Sequence, residues 1–269
     1  MKLLIPILSQ FKSTRLYKKI KIKLRSYYFK LFNKIDYSLI DIKSINIELI
    51  NQICTKEAKD KEELLNYILS FKIENTGLDQ SEERAFPGDS SYMSSGHYRY
   101  MLNRYLFAGL YFSKGMKILD SCSGLGWGTY IVSAYAKNVF AFDKDPEVVN
   151  FCRKTWKKKN IKWLIGDALD ISFYKKNKFD CVLAMETVEH FSKGDAEKYL
   201  ANLKYSLKKG GILIGSTPMI SDKKSIDEHL SSHPYHKYIF SSNEFKTLLE
   251  NYFYKATIIK NWIFIAKKN

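Results

Sequence analysis

Two groups of residues in this chain have the types and the spacing to do chemistry. The first is Glu186-Thr-Val-Glu189-His190. On a helical turn, Glu186, Glu189 and His190 would stand at i, i+3 and i+4 and share a face, so that two carboxylates and an imidazole converge. His190 can then take a proton from a hydroxyl directly, or the three side chains can hold a divalent cation that lowers the pKa of an oxygen bound to it. His190 and Glu189 are the candidate catalytic residues. The second group is Asp120-Ser-Cys122-Ser-Gly124-Leu-Gly126, in which an apolar run ends in an acid and enters a glycine-rich turn. Glycines at 124 and 126 let backbone approach a ligand. The periodic segment from about Thr129 reads as a helix whose free N–H groups face the same place. Asp143 closes a second apolar run, Val139 to Phe142, where a carboxylate can accept both hydroxyls of a ribose. Together these features describe a nucleoside-cofactor site.

A dinucleotide fingerprint requires G-x-G-x-x-G, and here the third slot is Thr129 while Gly128 sits one position early. An acid closing the first strand is foreign to that fingerprint, but it can position the ammonium group of an amino-acid moiety. At these residues the chain resembles the class I S-adenosylmethionine-dependent methyltransferases, whose first motif runs apolar-apolar-Asp-x-Gly-x-Gly-x-Gly; Cys122 occupies the first glycine position. The resemblance implies S-adenosylmethionine as cofactor, with Asp120, Cys122, Gly124, Gly126 and Asp143 around it. It also implies a contact from Asp167 and Ala168 to the adenine, because Gly166-Asp167-Ala168 follows a third strand-like run. Phe179 to Met185 and the Gly210-Gly211 turn with its following run match the fourth and fifth strands of the family. Asn103-Arg104-Tyr-Leu-Phe-Ala108 is similar to the segment before the first motif in bacterial methyltransferases of glycan-modification clusters. That likeness assigns Arg104 to the cofactor; if no metal is bound, Glu186 is expected to orient the cofactor instead.

The Glu-x-x-Glu-His pattern resembles the ubiquinone-pathway O-methyltransferases and the small-RNA 2′-O-methyltransferases. In the latter a downstream histidine completes a metal site. His236, in His233-Pro-Tyr-His236, falls where that histidine would be, so the resemblance implies a site of Glu186, Glu189, His190 and His236 for Mg, Mn or Zn. His229 and His233 read as polar residues of a substrate loop.

Strand-like runs near residues 117 to 120, 138 to 143, 161 to 165, 179 to 185 and 210 to 217 alternate with helical stretches. That alternation predicts a doubly wound, mostly parallel α/β sheet. Residues 252 to 259 and 262 to 266, separated by Lys260-Asn261, predict a terminal hairpin. The family resemblance makes the whole a seven-stranded Rossmann-like sheet with an antiparallel C-terminal pair. Residues 81 to 269 are expected to form this domain and residues 1 to 80 a basic helical extension. A helix is expected over 57 to 72, with Leu64, Leu65, Ile68 and Leu69 on one side. Another is expected over 92 to 112, after a turn-rich segment (83 to 90) that reads as a lid.

With 269 residues, 45% hydrophobic, the chain can bury one α/β domain and an extension, and no run reaches the roughly 18 apolar residues of a membrane span. Cys54, Cys122, Cys152 and Cys181 are widely spaced and lack zinc spacing, as in reduced cytoplasmic proteins. The net charge of +16 invites an anionic partner, although abundant Lys, Ile, Asn and Tyr also match an AT-rich coding sequence with an ordinary solvated face. Basic and apolar residues interleave at helical steps within residues 1 to 35, a pattern suited to peripheral contact with an anionic membrane.

The expected protein is a cytoplasmic methyltransferase, in peripheral contact with the inner face of the membrane in one reading. It acts on an oxygen of a sugar or surface-glycan precursor. The rival readings are an N-methyltransferase on an amide or amino sugar, an RNA 2′-O-methyltransferase with nucleic acid as partner, and a non-catalytic docking scaffold of the same fold.

Overall fold

The computed structural model describes residues 58–72, 76–78, 84–113 and 115–269. The expected basic helix and its membrane contact within residues 1 to 35 lie outside the described residues, as does Cys54.

Seven strands form one sheet: β1 (Lys117–Ser121), β2 (Asn138–Asp143), β3 (Ile161–Ile165), β4 (Phe179–Met185), β5 (Leu207–Ser216), β6 (Lys255–Ile259) and β7 (Ile263–Lys267). Their order is β3-β2-β1-β4-β5-β7-β6. β1 to β5 are parallel, and β7 alone runs against them, antiparallel to both β5 and β6. The central strands are near-continuous apolar runs because helices cover both faces, as parallel sheets require. Chain order reverses between β1 and β4, so the loops after these two strands open side by side at the carboxyl edge, where such sheets bind ligands. Asp120 lies at the end of β1 and Glu186 directly follows β4.

The crossover helices have local stop and start signals. In α5 (Pro146–Thr155), after α4 (Trp127–Ser133), Asp145 caps the helix by accepting the Glu147 N–H and Pro146 occupies the first turn. Ser192 caps α6 (Lys193–Ser206). Asp222 caps α7 (Lys223–Ser232), a helix inside the insert after β5 that the sequence pattern did not reveal, and Ser241 caps α8 (Ser242–Tyr252). Because α8 runs through Tyr252, β6 opens at Lys255 and not at 252. The hairpin turns on Lys260 and Asn261, both at positive φ, with the Trp262 N–H donated to the Ile259 carbonyl at 3.2 Å.

Ahead of the sheet, α1 (Ala58–Leu69) buries Leu64, Leu65 and Ile68, and Tyr67 meets the Trp156 ring edge-on at 5.9 Å. The single helix expected over 92 to 112 is two: α2 (Ser90–Ser95) and α3 (Tyr98–Gly109). Gly96 sits at φ 74 between them and ends the first, as a left-handed glycine does at a helix C-terminus. The segment expected to be a lid is seated on the body in its described part. The Trp127 indole donates to the Ala85 carbonyl, Arg84 pairs with Asp145, and Phe86 is fully buried. Among the described residues no helix is long and apolar enough to cross a membrane.

Candidate active site

The turn between β1 and α4 is shaped by three glycines for three different reasons. Gly124, at φ 50, has open space where a Cβ would stand, and its N–H donates to Asp143 Oδ2 at 3.0 Å. Gly126, expected to face the ligand, faces the core: a Cβ there would lie 2.6 Å from Trp163 and 2.7 Å from Cys152 Sγ. Gly128 lets α4 rest on α3, since its Cβ would meet the Tyr105 ring at 2.0 Å. Cys122 takes φ 54, the left-handed conformation that explains why a glycine suits this position. Cys122, Cys152 and Cys181 are free thiols.

Asp120 is fully buried under this turn. Its Oδ2 accepts the Thr129 hydroxyl at 2.6 Å, while Oδ1 is buried without a hydrogen-bond partner. Burial pushes its pKa up to about 7, and the Thr129 hydrogen bond opposes the rise only in part. A buried carboxyl oxygen without a hydrogen-bond partner is a receptor for a donor. Asp143 holds the rim: Oδ1 accepts the Asp145 N–H and Oδ2 that of Gly124. Asp167 is exposed and accepts the Leu169 N–H at 2.8 Å. Ala168 is buried, its carbonyl held by the Tyr174 hydroxyl and the Asn202 amide, each at 3.0 Å.

After β4 the chain does not enter an α-helix. Glu186 takes φ 48 and a 3₁₀ turn follows at Val188–His190, so the shared face expected for Glu186, Glu189 and His190 does not form. Glu186 turns instead to Arg104 of α3, with Oε1 2.8 Å from Nη1, and accepts the Trp262 indole N–H, also at 2.8 Å. Burial raises the pKa of Glu186, but Arg104 and the hydrogen bonds from Ser216 and Trp262 outweigh that effect and hold it below the usual carboxylate range. Tyr100 stacks on Trp262 at 5.7 Å, and His97 lies beside both.

Glu189 goes the other way. It is 1% exposed, and neither carboxyl oxygen has a hydrogen bond. Burial, and then the charge of Glu186, raise its pKa well above the ordinary value. One ligand-type atom from each of Glu189, His190 and His236 lies within 4.8 Å of the others. This group contains three of the four residues expected to bind metal; Glu186 is outside it, held by Arg104. The Tyr235 carbonyl lies 3.3 Å from His190 Nδ1, which makes Nδ1 the donor and Nε2 the basic nitrogen of the neutral ring. His229 Nε2 and His236 Nδ1 are 2.9 Å apart, and His229 stacks on His233 at 4.2 Å. Burial and then the neighbouring imidazoles push the His236 pKa down to about 4. His229, expected in a substrate loop, lies in the last turn of α7, and His233, expected in the same loop, follows its end, so both stand beside the metal candidate His236. The Lys237 N–H, donated to the Glu189 carbonyl at 2.7 Å, ties this insert to the turn after β4.

An acid-closed first strand, a glycine turn and a second acid at the switch point of this sheet, with a reversed C-terminal hairpin, define the Rossmann-like methyltransferase fold. Residues 118–211 match a family model described as a methyltransferase domain. No curated protein matches the chain. Among solved structures it is similar to an O-methyltransferase family protein from Burkholderia thailandensis, with 16% identity, TM-score 0.56, and 82% of this chain and 71% of that one covered. It is also similar to a SAM-dependent methyltransferase from Archaeoglobus fulgidus, with 15% identity, TM-score 0.54, and 67% and 100% covered. The family match covers residues 118–211, and the likeness to the solved structures is one of fold.

Proposed function

We propose that the protein transfers a methyl group from S-adenosylmethionine to an oxygen of a sugar or surface-glycan precursor. The observation that carries the reading is the buried, unpartnered Oδ1 of Asp120 on β1, the strand that runs into the Gly124 turn. A carboxylate so placed is completed by the ammonium of the cofactor's methionine part, while Asp143 and Asp167 stand at the ends of β2 and β3 for ribose and adenine. When bound, the cofactor supplies an electrophilic methyl group on a sulfonium. Arg104 and Glu186 form a neutral pair that fixes the turn after β4 beside it. Methyl transfer to a hydroxyl would release its proton, and Nε2 of His190 would be the group to hold it.

A second route rests on the group of Glu189, His190 and His236. A buried carboxylate with both oxygens unsatisfied next to two imidazoles suits Mn or Zn, which would bind the acceptor oxygen and ease loss of its proton. The likeness to an O-methyltransferase family protein favours oxygen over nitrogen as the acceptor atom.

The test is calorimetric titration of S-adenosylmethionine and S-adenosylhomocysteine, with and without Mg, Mn and EDTA, on the wild type and Asp143→Ala. Saturable binding lost in the variant supports the reading, and a metal-dependent difference lost in Glu189→Gln supports the second route. Absence of binding by the wild type would overturn both.

A further inference from the structure

The edge of the sheet opposite the candidate site is lined with lysines, one within or immediately before each strand. Lys117 opens β1, Lys137 precedes β2, Lys162 is second in β3, Lys178 precedes β4 and Lys208 is second in β5. The hairpin brings two more: Lys255 opens β6, and Lys267, which pairs with it, closes the reversed strand β7. Strand pairing places these residues at one end: Lys117 is level with Asn138, Val139 with Ile161, Phe179 with Leu207, and Ile212 with Lys267. All seven side chains are exposed or half-buried.

Among the described residues along this row of strand ends the one acid is Asp180, and its charge is already committed. Oδ2 accepts the Lys117 backbone N–H at 2.8 Å and Oδ1 accepts Lys208 Nζ at 2.6 Å. Burial and then Lys162, Lys117 and Lys175 lower the pKa of Lys178, and burial, Lys204 and Lys176 do the same to Lys268. Ordinary surfaces intersperse both signs. A row of one sign repels itself, and that repulsion is relieved by a layer of anions. Tyr254, 74% exposed, immediately precedes Lys255, and exposed Tyr205 follows Lys204 at the end of α6. Such rings are at home where an apolar body can sink to headgroup depth while the hydroxyl stays wet.

We propose that this lysine edge docks on the surface of an anionic lipid bilayer. Seven strands about 4.8 Å apart make a front roughly 29 Å wide, which matches a planar charge better than a nucleic-acid strand that needs a groove to follow. The strands carry the candidate site to the other end of the sheet, roughly 20 Å from the bilayer, where a soluble acceptor can reach it. The proposal is independent of the methyl acceptor and of residues 1 to 35.

The test is co-sedimentation of the full chain with phosphatidylcholine vesicles, with and without phosphatidylglycerol, at low and high salt. The full chain carrying K137E, K162E, K255E and K267E is compared with one carrying K18E, K19E and K23E. A lysine near an anionic surface is worth about fivefold in partitioning, so the edge variant is expected to lose roughly a hundredfold or more of its phosphatidylglycerol-dependent binding, with unchanged thermal unfolding and cofactor affinity. If the edge variant unfolds, glutamines at the same four positions should give a smaller loss of the same kind. Three results would overturn the proposal: no binding of the wild type to anionic vesicles, binding that survives in the edge variant and disappears in the N-terminal one, or displacement from vesicles by RNA at lower concentration than by lipid.

Discussion

The Thr129 hydroxyl donates to one oxygen of Asp120 at 2.6 Å, and it is the one hydrogen bond that this fully buried carboxyl group receives. With its pKa near 7, the native state holds the proton more tightly than the unfolded chain, whose carboxyl titrates near 3.8. The associated stability is therefore complete below about pH 4 and is lost as pH rises to about 7, by up to about 4 kcal/mol. Urea unfolding of the cofactor-free protein at pH 5 and pH 8 should show this loss, and Asp120→Asn should flatten it. A slope of opposite sign in the wild type, not shared by Asp120→Asn, would exclude this role.

Glu189 is buried beside Glu186 with neither oxygen satisfied, a cost to the metal-free fold. Glu189→Met should stabilise that form by about 1 kcal/mol or more, because an apolar side chain of similar volume suits a dry site better than an unpaired acid. Thermal unfolding in EDTA reads the gain, and added Mn should stabilise the wild type but not the variant.

Gly128→Ala should destabilise by about 3 kcal/mol, since the new methyl would stand 2.0 Å from the Tyr105 ring, which is itself held edge-on by Trp127 at 5.1 Å. Adding Tyr105→Leu to that variant should recover part of the loss. Chemical denaturation of the two single variants and the double one measures the coupling.

Cys122 stands at φ 54 without being a glycine. Cys122→Gly should raise stability by about 1 kcal/mol, and Cys122→Val should lower it by more than that, because a β-branched residue is strained in the left-handed region. Equal melting temperatures for all three would show that the turn accommodates the strain elsewhere.

The strands of this protein were legible because each is a run of consecutive apolar residues whose pattern and bounding turns are local properties. β2, β3 and β4 begin and end where the sequence pattern places them. The acids at 120 and 143 and the glycines between them are likewise a short-range signature. Tertiary structure alone decided what those residues touch. Arg104 and Glu186 are neighbours only because α3 packs over the end of β4, and Trp262 reaches Glu186 only because the last hairpin runs back along β5. That union diverts Glu186 from the group of Glu189, His190 and His236, which spacing within a helix would have placed together. The same holds for Gly126 and Gly128, whose added Cβ atoms would meet Trp163 and Tyr105. Backbone preferences accumulate along neighbouring residues and so can be read in order. A side chain's partner depends on how distant segments pack, and no single stretch of sequence carries that information.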